Sequence, residues 1–218
     1  MKAFWSHVKK WLGHLFPKLL SYERFMFRTR ETRRAVELLP EENPTKWRGF
    51  GLLDASKIPV ARQDRRGPKV FRRTASYGYT AFGRFYGFKP RLLCDGSGGV
   101  VRWSLTTGSV HDLKPVKEGF LDGLCGRVLA DSGYVSREER FRLMGKNLDF
   151  VARPRKNQDE WDRDAWERKY GKIYGKRQRI ESVFNDLKNN RMMVSFRHHH
   201  PAMLIIYVLS ALLAYQLS

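Results

Sequence analysis

Tyr174 to Lys188 reads YGKRQRIESVFNDLK. Wound as an α-helix at about 100° per residue, the stretch brings Tyr174, Arg177, Glu181 and Lys188 within an arc of roughly 60°. One stripe then carries a phenol, a guanidinium, a carboxylate and an ammonium. Ile180, Val183, Phe184 and Leu187 recur at i, i+3, i+4 and i+7 on the other side, so the helix can pack on a core while it displays that stripe. By itself the pattern also suits a surface helix with i,i+4 ion pairs such as Arg177 with Glu181. What lies upstream decides between the two.

Working outward, two further acids stand in apolar surroundings. Asp54 sits in FGLLDASKIPV, flanked by Leu52, Leu53, Ile58 and Val60, and Asp131 stands where VLA gives way to Ser132-Gly133. A carboxylate within or at the tip of a buried strand is costly unless it is paired or binds a cation. Strand-borne acids joined by a helix-borne Glu181 suit hard divalent ions bound through oxygen, and two such ions can promote phosphodiester displacement. Taken singly, each acid also has an ordinary role: Asp54 as a strand-end ion pair, Asp131 as a turn former or helix cap, Glu181 as a surface pair.

The charge balance favours the joint reading. Lys and Arg number 42 against 22 Asp and Glu, a net charge of +20 over 218 residues. Such an excess calls for a polyanionic partner, nucleic acid above acidic lipid, and its spread along the chain implies a folded basic surface. A content of 42% hydrophobic and 29% charged residues fits a globular chain with one sizeable domain and an appendage. Cys94 and Cys125 have no zinc-ribbon spacing and offer no disulfide framework, which fits a reducing, cytoplasmic setting. Lys9, Lys10 and His14 interrupt any signal-peptide core, and the apolar run Ala202 to Leu217 is too short to span a bilayer, so it reads as a buried helix.

In chain order, residues 1–46 read as a basic helical region with Pro17 as a break, and residues 47–218 as one catalytic domain. The first strand holds Asp54, and a basic loop with Arg62, Arg65, Arg66, Lys69, Arg72 and Arg73 follows it. GRFYGFKPRLLCD and VVRWSLTTGSV flank DGSGG, the turn chemistry of a hairpin. A helix is expected over Lys114 to Asp122, a strand in GRVLADSGY that ends in Asp131, a helix capped by Ser136, and a fifth strand in LDFVARP. This is a mixed α/β pattern. His111 and Asp112, at a strand end, are expected to cap the next helix, with support of the site as the alternative. His198 to His200 read as a loop, since consecutive residues cannot all converge on one ion. Trp161 and Trp166 suit either base stacking or helix packing.

These residues resemble the DDE transposases of bacterial insertion sequences, nearest the insertion-sequence family 982 type within the group marked by a Tyr-Arg-Glu-Lys signature. Tyr174, Arg177, Glu181 and Lys188 meet the signature Y-x2-R-x3-E-x6-K. FGLLDASKIPV resembles the first-Asp strand, VLADSGY the second-Asp segment and RIESVFNDLK the Glu helix, while SYGYTAFGRFYGFKPRLLCD and the SVHD at His111 and Asp112 are also similar. The likeness runs from about Leu15 to the C-terminus. Upstream, only LFPKLLSYERF matches the longer end-recognition region usual in the family.

The resemblance implies an RNase H-like mixed five-stranded sheet with flanking helices. It implies that Asp54, Asp131 and Glu181 are catalytic and hold two Mg²⁺ ions, with Mn²⁺ able to substitute, and that Tyr174, Arg177 and Lys188 contact DNA. The expected substrates are double-stranded element ends and target DNA, the expected assembly is a homodimer, and the expected location is the cytoplasm, at the nucleoid. The competing readings are a non-catalytic DNA-binding remnant and a metal-dependent nuclease that cuts without joining.

Overall fold

A computed structural model describes residues 9–10, 20–21, 23–24, 27, 46–61, 71–80, 83–155, 160–191, 193–194, 196 and 201–216. Most of the N-terminal region, Arg62, Arg65, Arg66 and Lys69 of the basic loop, and His198 to His200 lie outside the described residues.

The sheet is built on one long strand, β4 (Gly83–Asp95), whose residues from Phe85 onward are all buried. Its second half pairs antiparallel with β1 (Phe50–Ala55), Gly51 facing Asp95 and Asp54 facing Leu92. β2 (Ile58–Ala61) continues β1 in the same register through Pro59, with Ile58 opposite Phe88, and shifts by one residue at Ala61. The strand expected over 50–60 is thus one ladder with a gap at Ser56 and Lys57. Ser56 N–H still donates to the Pro90 carbonyl at 2.9 Å, but Pro90 has no N–H with which to return the bond.

On the other edge of β4 lies β5 (Val100–Thr107), joined by the hairpin that DGSGG announces. Asp95 Oδ1 holds that turn by accepting from Ser97 N–H, Ser97 Oγ–H and Gly99 N–H at 2.7 to 2.9 Å. β3 (Ser76–Thr80) pairs with the first half of β4, a strand inside what the sequence suggests is loop. β6 (Gly126–Ala130) runs parallel to β1, and β7 (Leu148–Ala152) parallel to β6. β6 starts at Gly126 with φ +105°, where any Cβ would overlap the Gly49 carbonyl. The sheet has seven strands rather than five, because β2 prolongs β1 and β3 is added.

Alternation along the strands sends side chains to two cores. Leu52, Leu92, Leu129 and Val151 face one side, where α4 (Gln178–Asn189) and α5 (Pro201–Gln216) pack. Leu53, Leu93, Val128 and Phe150 face the other, covered by α1 (Lys114–Lys117) and α2 (Arg137–Met144). The molecule is therefore three layers, helix on sheet on helix. Ser136 caps α2 as expected, its Oγ accepting Glu139 N–H at 3.2 Å. α1 is one turn instead of the nine residues expected, and Gly119 at φ +93° follows its end.

The helix that opens the sequence reading is not continuous. α3 (Glu160–Tyr174) ends at Tyr174, a 3₁₀ turn spans Gly175–Arg177, and α4 carries the rest. Gly175 at the joint is the poorest helix former in the stretch, and the chain tightens there. α5 lies on the same core as α4, its end tied to the β4–β5 hairpin by Tyr215 Oη–H to the Gly98 carbonyl and Gln216 Nε2–H to the Val100 carbonyl. Among the described residues no helix is long and apolar enough to cross a membrane.

Candidate catalytic site

The register of the two parallel strands builds the site. Leu53 of β1 stands beside Ala130 of β6, so the next residues, Asp54 and Asp131, are neighbours at the carboxyl ends of adjacent strands. By alternation both belong to the face that α4 covers. Open sheets of this kind place ligands at the carboxyl ends of their parallel strands. α4 lies there because Ile180, Val183, Phe184 and Leu187 are all buried in the shared core. Burying each such side chain contributes about 2 kcal/mol, enough to fix the rotation of the helix and so the aim of its polar stripe.

Arg177 stands at the centre. Its Nη2 donates to Asp54 Oδ2 at 2.8 Å and lies 4.0 Å from Asp131 Oδ2, while its Nη1 donates to Glu181 Oε1 at 3.1 Å. One guanidinium thus gathers the three carboxylates that the sequence singles out. The side chains are graded in depth: Arg177 is 12% exposed, Asp54 20%, Asp131 48% and Glu181 56%. Asp54 also accepts Ala55 N–H at 2.8 Å, and Asp131 accepts Ser132 N–H at 2.7 Å, capping a 3₁₀ turn at Ser132–Tyr134.

Burial pushes the Asp54 carboxyl up to about 6, against the pull of Arg177 and the Ala55 N–H, with Asp131 and Glu181 adding repulsion. The site holds more negative charge than one guanidinium offsets. Among the described residues no three of His, Cys, Asp and Glu are grouped as a metal ion would need them. Arg177 instead pairs with each of the three acids. The donor set itself, three carboxylates converging on one cationic point, is the hard oxygen set that suits Mg²⁺ or Mn²⁺.

The remaining signature residues surround this point. Tyr174 donates from its hydroxyl to the Ala130 carbonyl at 3.3 Å, next to Asp131, and burial pushes its phenol up to about 12. Its ring lies edge-on to Trp166, centroids 5.0 Å apart, with the Arg153 and Arg177 guanidiniums at 5.7 and 6.0 Å. Trp166 is therefore a packing residue in the core, one of the two roles open to it in sequence. Lys188 is half-buried, and its ammonium is pushed down by burial and then by Lys57, with Asp54 opposing.

His111 and Asp112 do not cap α1, which has no side-chain cap. His111 Nδ1 accepts Leu113 N–H at 3.2 Å, while Asp112 pairs with Lys89 at 2.9 Å and with the fully buried Arg91 at 3.3 Å. Arg91 Nε in turn donates to the Tyr134 hydroxyl at 3.1 Å, on the turn that Asp131 caps. This buried network braces the second acid from the far face of the sheet. Its sequence signal is Lys89 and Arg91 alternating inside the apolar run GFKPRLLC: a buried cation in a central strand needs a partner as much as a buried acid does.

No curated protein matches the chain. A cryo-EM structure of a piggyBac transposase synaptic complex with hairpin DNA is similar over 85% of this chain and 50% of that one, at 12% identity and a TM-score of 0.54. The chain thus spans about half the length of that protein, and the likeness identifies the fold as RNase H-like. Two Mos1 transposase structures also match at 12% and 13% identity: a paired-end complex with the left transposon end covers 77% of this chain and 61% of that one with a TM-score of 0.30, and a mariner paired-end complex with Mn covers 90% and 61% with a TM-score of 0.35. Residues 45–201, which include all three acids and the signature helix, match the family model described as Transposase DDE domain, and the chain belongs to that family.

Proposed function

We propose that the protein is a DNA transposase of the insertion-sequence family 982 type, which cleaves at the ends of its element and transfers the strand into target DNA. The observation that carries this reading is the convergence of Asp54, Asp131 and Glu181 on Arg177, at the carboxyl ends of β1 and β6, in a chain of the Transposase DDE domain family. The three carboxylates would hold Mg²⁺, or Mn²⁺ in its place, which when bound supplies charge stabilisation for phosphoryl transfer.

The protein's own residues do the rest. Asp54 is the deepest of the three acids and defines the floor of the site. Arg177 neutralises the acids between reactions and turns to a phosphate oxygen of the DNA when they take up a metal, a role suited to its forked guanidinium. Tyr174 holds the Ala130 carbonyl and so the strand end that carries Asp131. Lys188 and Lys57 add positive charge near Asp54 for the DNA backbone. The substrates are double-stranded element ends and target DNA, met in the cytoplasm by a homodimer.

DNA carrying the neighbouring element end, incubated with the protein and Mg²⁺ or Mn²⁺, is expected to be nicked at the end and joined to target, with no reaction in EDTA. Asp54→Asn, Asp131→Asn and Glu181→Gln are each expected to lose cleavage while keeping most DNA binding. Cutting without joining would identify a nuclease, binding without cutting would identify a remnant, and cleavage retained in a variant would remove that residue from the site.

A further inference from the structure

Beside Asp131 the surface opens into two cavities that meet at Pro154 and Trp166. The first, about 420 Å³, is lined by Asp131, Arg153, Arg163 and Trp166, with Asp164 and Glu167 at its wall. The second, about 350 Å³, is lined by Arg137, Arg140, Lys169, Trp166 and Tyr170 and has no acid in its lining. Together they make a groove that starts at a proposed catalytic acid and whose charged residues are all cationic as it leaves.

Two lining residues carry a buried donor without a partner. Among the described residues neither Arg163 Nε nor Trp166 Nε1 has a hydrogen-bond partner, and Trp166 is 9% exposed. The aromatic element is also in place: Arg140 donates to the Tyr170 hydroxyl at 2.9 Å, and the Arg140 guanidinium and Lys169 ammonium lie 5.8 and 5.2 Å from the Tyr170 ring. Cations beside aromatic rings are the chemistry of single-stranded nucleic-acid binding, and each cavity is of nucleotide size.

We infer that this groove holds an unpaired DNA strand, about two nucleotides running on from the phosphate that reacts at Asp131. The inference rests on the function proposed above and names the path of one strand through that site. Arg153 serves the first nucleotide and Lys169 the second, while Asp164 and Glu167 accept from base amino groups rather than phosphates.

The test uses the full chain in EDTA, so that no metal chemistry intervenes, and follows the fluorescence anisotropy of a labelled six-nucleotide single strand and of a duplex of matching sequence. Arg153→Glu with Lys169→Glu, both exposed positions, is expected to weaken single-strand binding at least tenfold, and the double Gln variant by an intermediate factor. Lys114→Glu with Lys117→Glu makes the same change of charge on α1, outside the lining of both cavities, and is expected to weaken it less than threefold. Equal losses in the two charge-reversed proteins would show attraction by net charge alone and overturn the groove, as would wild-type protein that binds no single strand. Such a result beside intact metal-dependent end cleavage would leave the transposase reading standing. Groove binding without cleavage would remove that reading alone.

Discussion

Asp54 faces opposite demands. In its proposed role as a metal ligand it must be ionised, yet the core around Leu52 and Leu92 disfavours its charge, and its carboxyl is pushed up to about 6 by that burial. For an acid raised in the folded state, the stabilising contribution is complete below its unfolded value near 3.8 and is lost as pH rises through about 6. Denaturant unfolding in EDTA should therefore show Asp54→Asn gaining on wild type between pH 4 and pH 8, by on the order of 2 kcal/mol. A difference that stays flat over that range would mean that Asp54 is not desolvated. Arg177 makes the complementary case: Arg177→Gln leaves three acids without their shared cation and should cost about 2 kcal/mol in EDTA, with Mn²⁺ raising its Tm more than that of wild type. Equal Tm shifts would show that Arg177 and metal do not share the site. Asp54 and Asp131 stand out in the sequence because charge in or at the end of an apolar strand demands a reason, and Glu181 stands out through the polar stripe of its helix. The bridging place of Arg177 does not, since helical spacing gives a stripe but neither the depth nor the direction of a side chain.

At the scale of elements, the polar stripe points at the acids only because the apolar face of α4 fixes its rotation. Leu187→Ala, at a fully buried position, should cost about 2–5 kcal/mol in denaturant unfolding and lower activity beyond its effect on folding, because Glu181 loses its aim. A loss below about 1 kcal/mol would show that α4 is held by something other than this face. Ser136→Ala removes the α2 cap on the far layer and should cost about 1 kcal/mol with metal binding unchanged. The long hairpin of β4 and β5, the Ser136 cap and the C-terminal helix could all be read from local chemistry. β3 could not, because Tyr77, Gly78 and Tyr79 lie in a tract whose basic residues mask a strand signal. α3 hid for a similar reason: Trp166 and Tyr170, with the partly buried Tyr174, are its inward stripe, set among charged residues that resemble a solvated loop.

The whole molecule joins two facts that no single element contains, an acidic site at the ends of β1 and β6 and a net charge of +20. Long-range attraction brings a polyanion to the surface, and the local acids remain available to cations. DNA binding should therefore weaken steeply with salt, log K falling linearly with log salt concentration, and the slope should be nearly unchanged in Asp54→Asn. A shallow slope would contradict a binding surface built from phosphate contacts. The RNase H-like arrangement itself was legible through the resemblance carried by the signature and the two Asp segments. Local pattern alone yields strands and helices in sequence order, whereas the parallel placement of β6 against β1 depends on contacts far apart in the chain.

The most direct test of the central claim, that Asp54, Asp131 and Glu181 form a divalent-metal site, is a Mn²⁺ titration followed by electron paramagnetic resonance. Wild-type protein at pH 7.5 is expected to bind Mn²⁺ saturably, and Asp54→Asn and Glu181→Gln are expected to lose that binding while still folding. Saturable binding that persists unchanged in both variants, or none in wild type with or without DNA, would contradict the account.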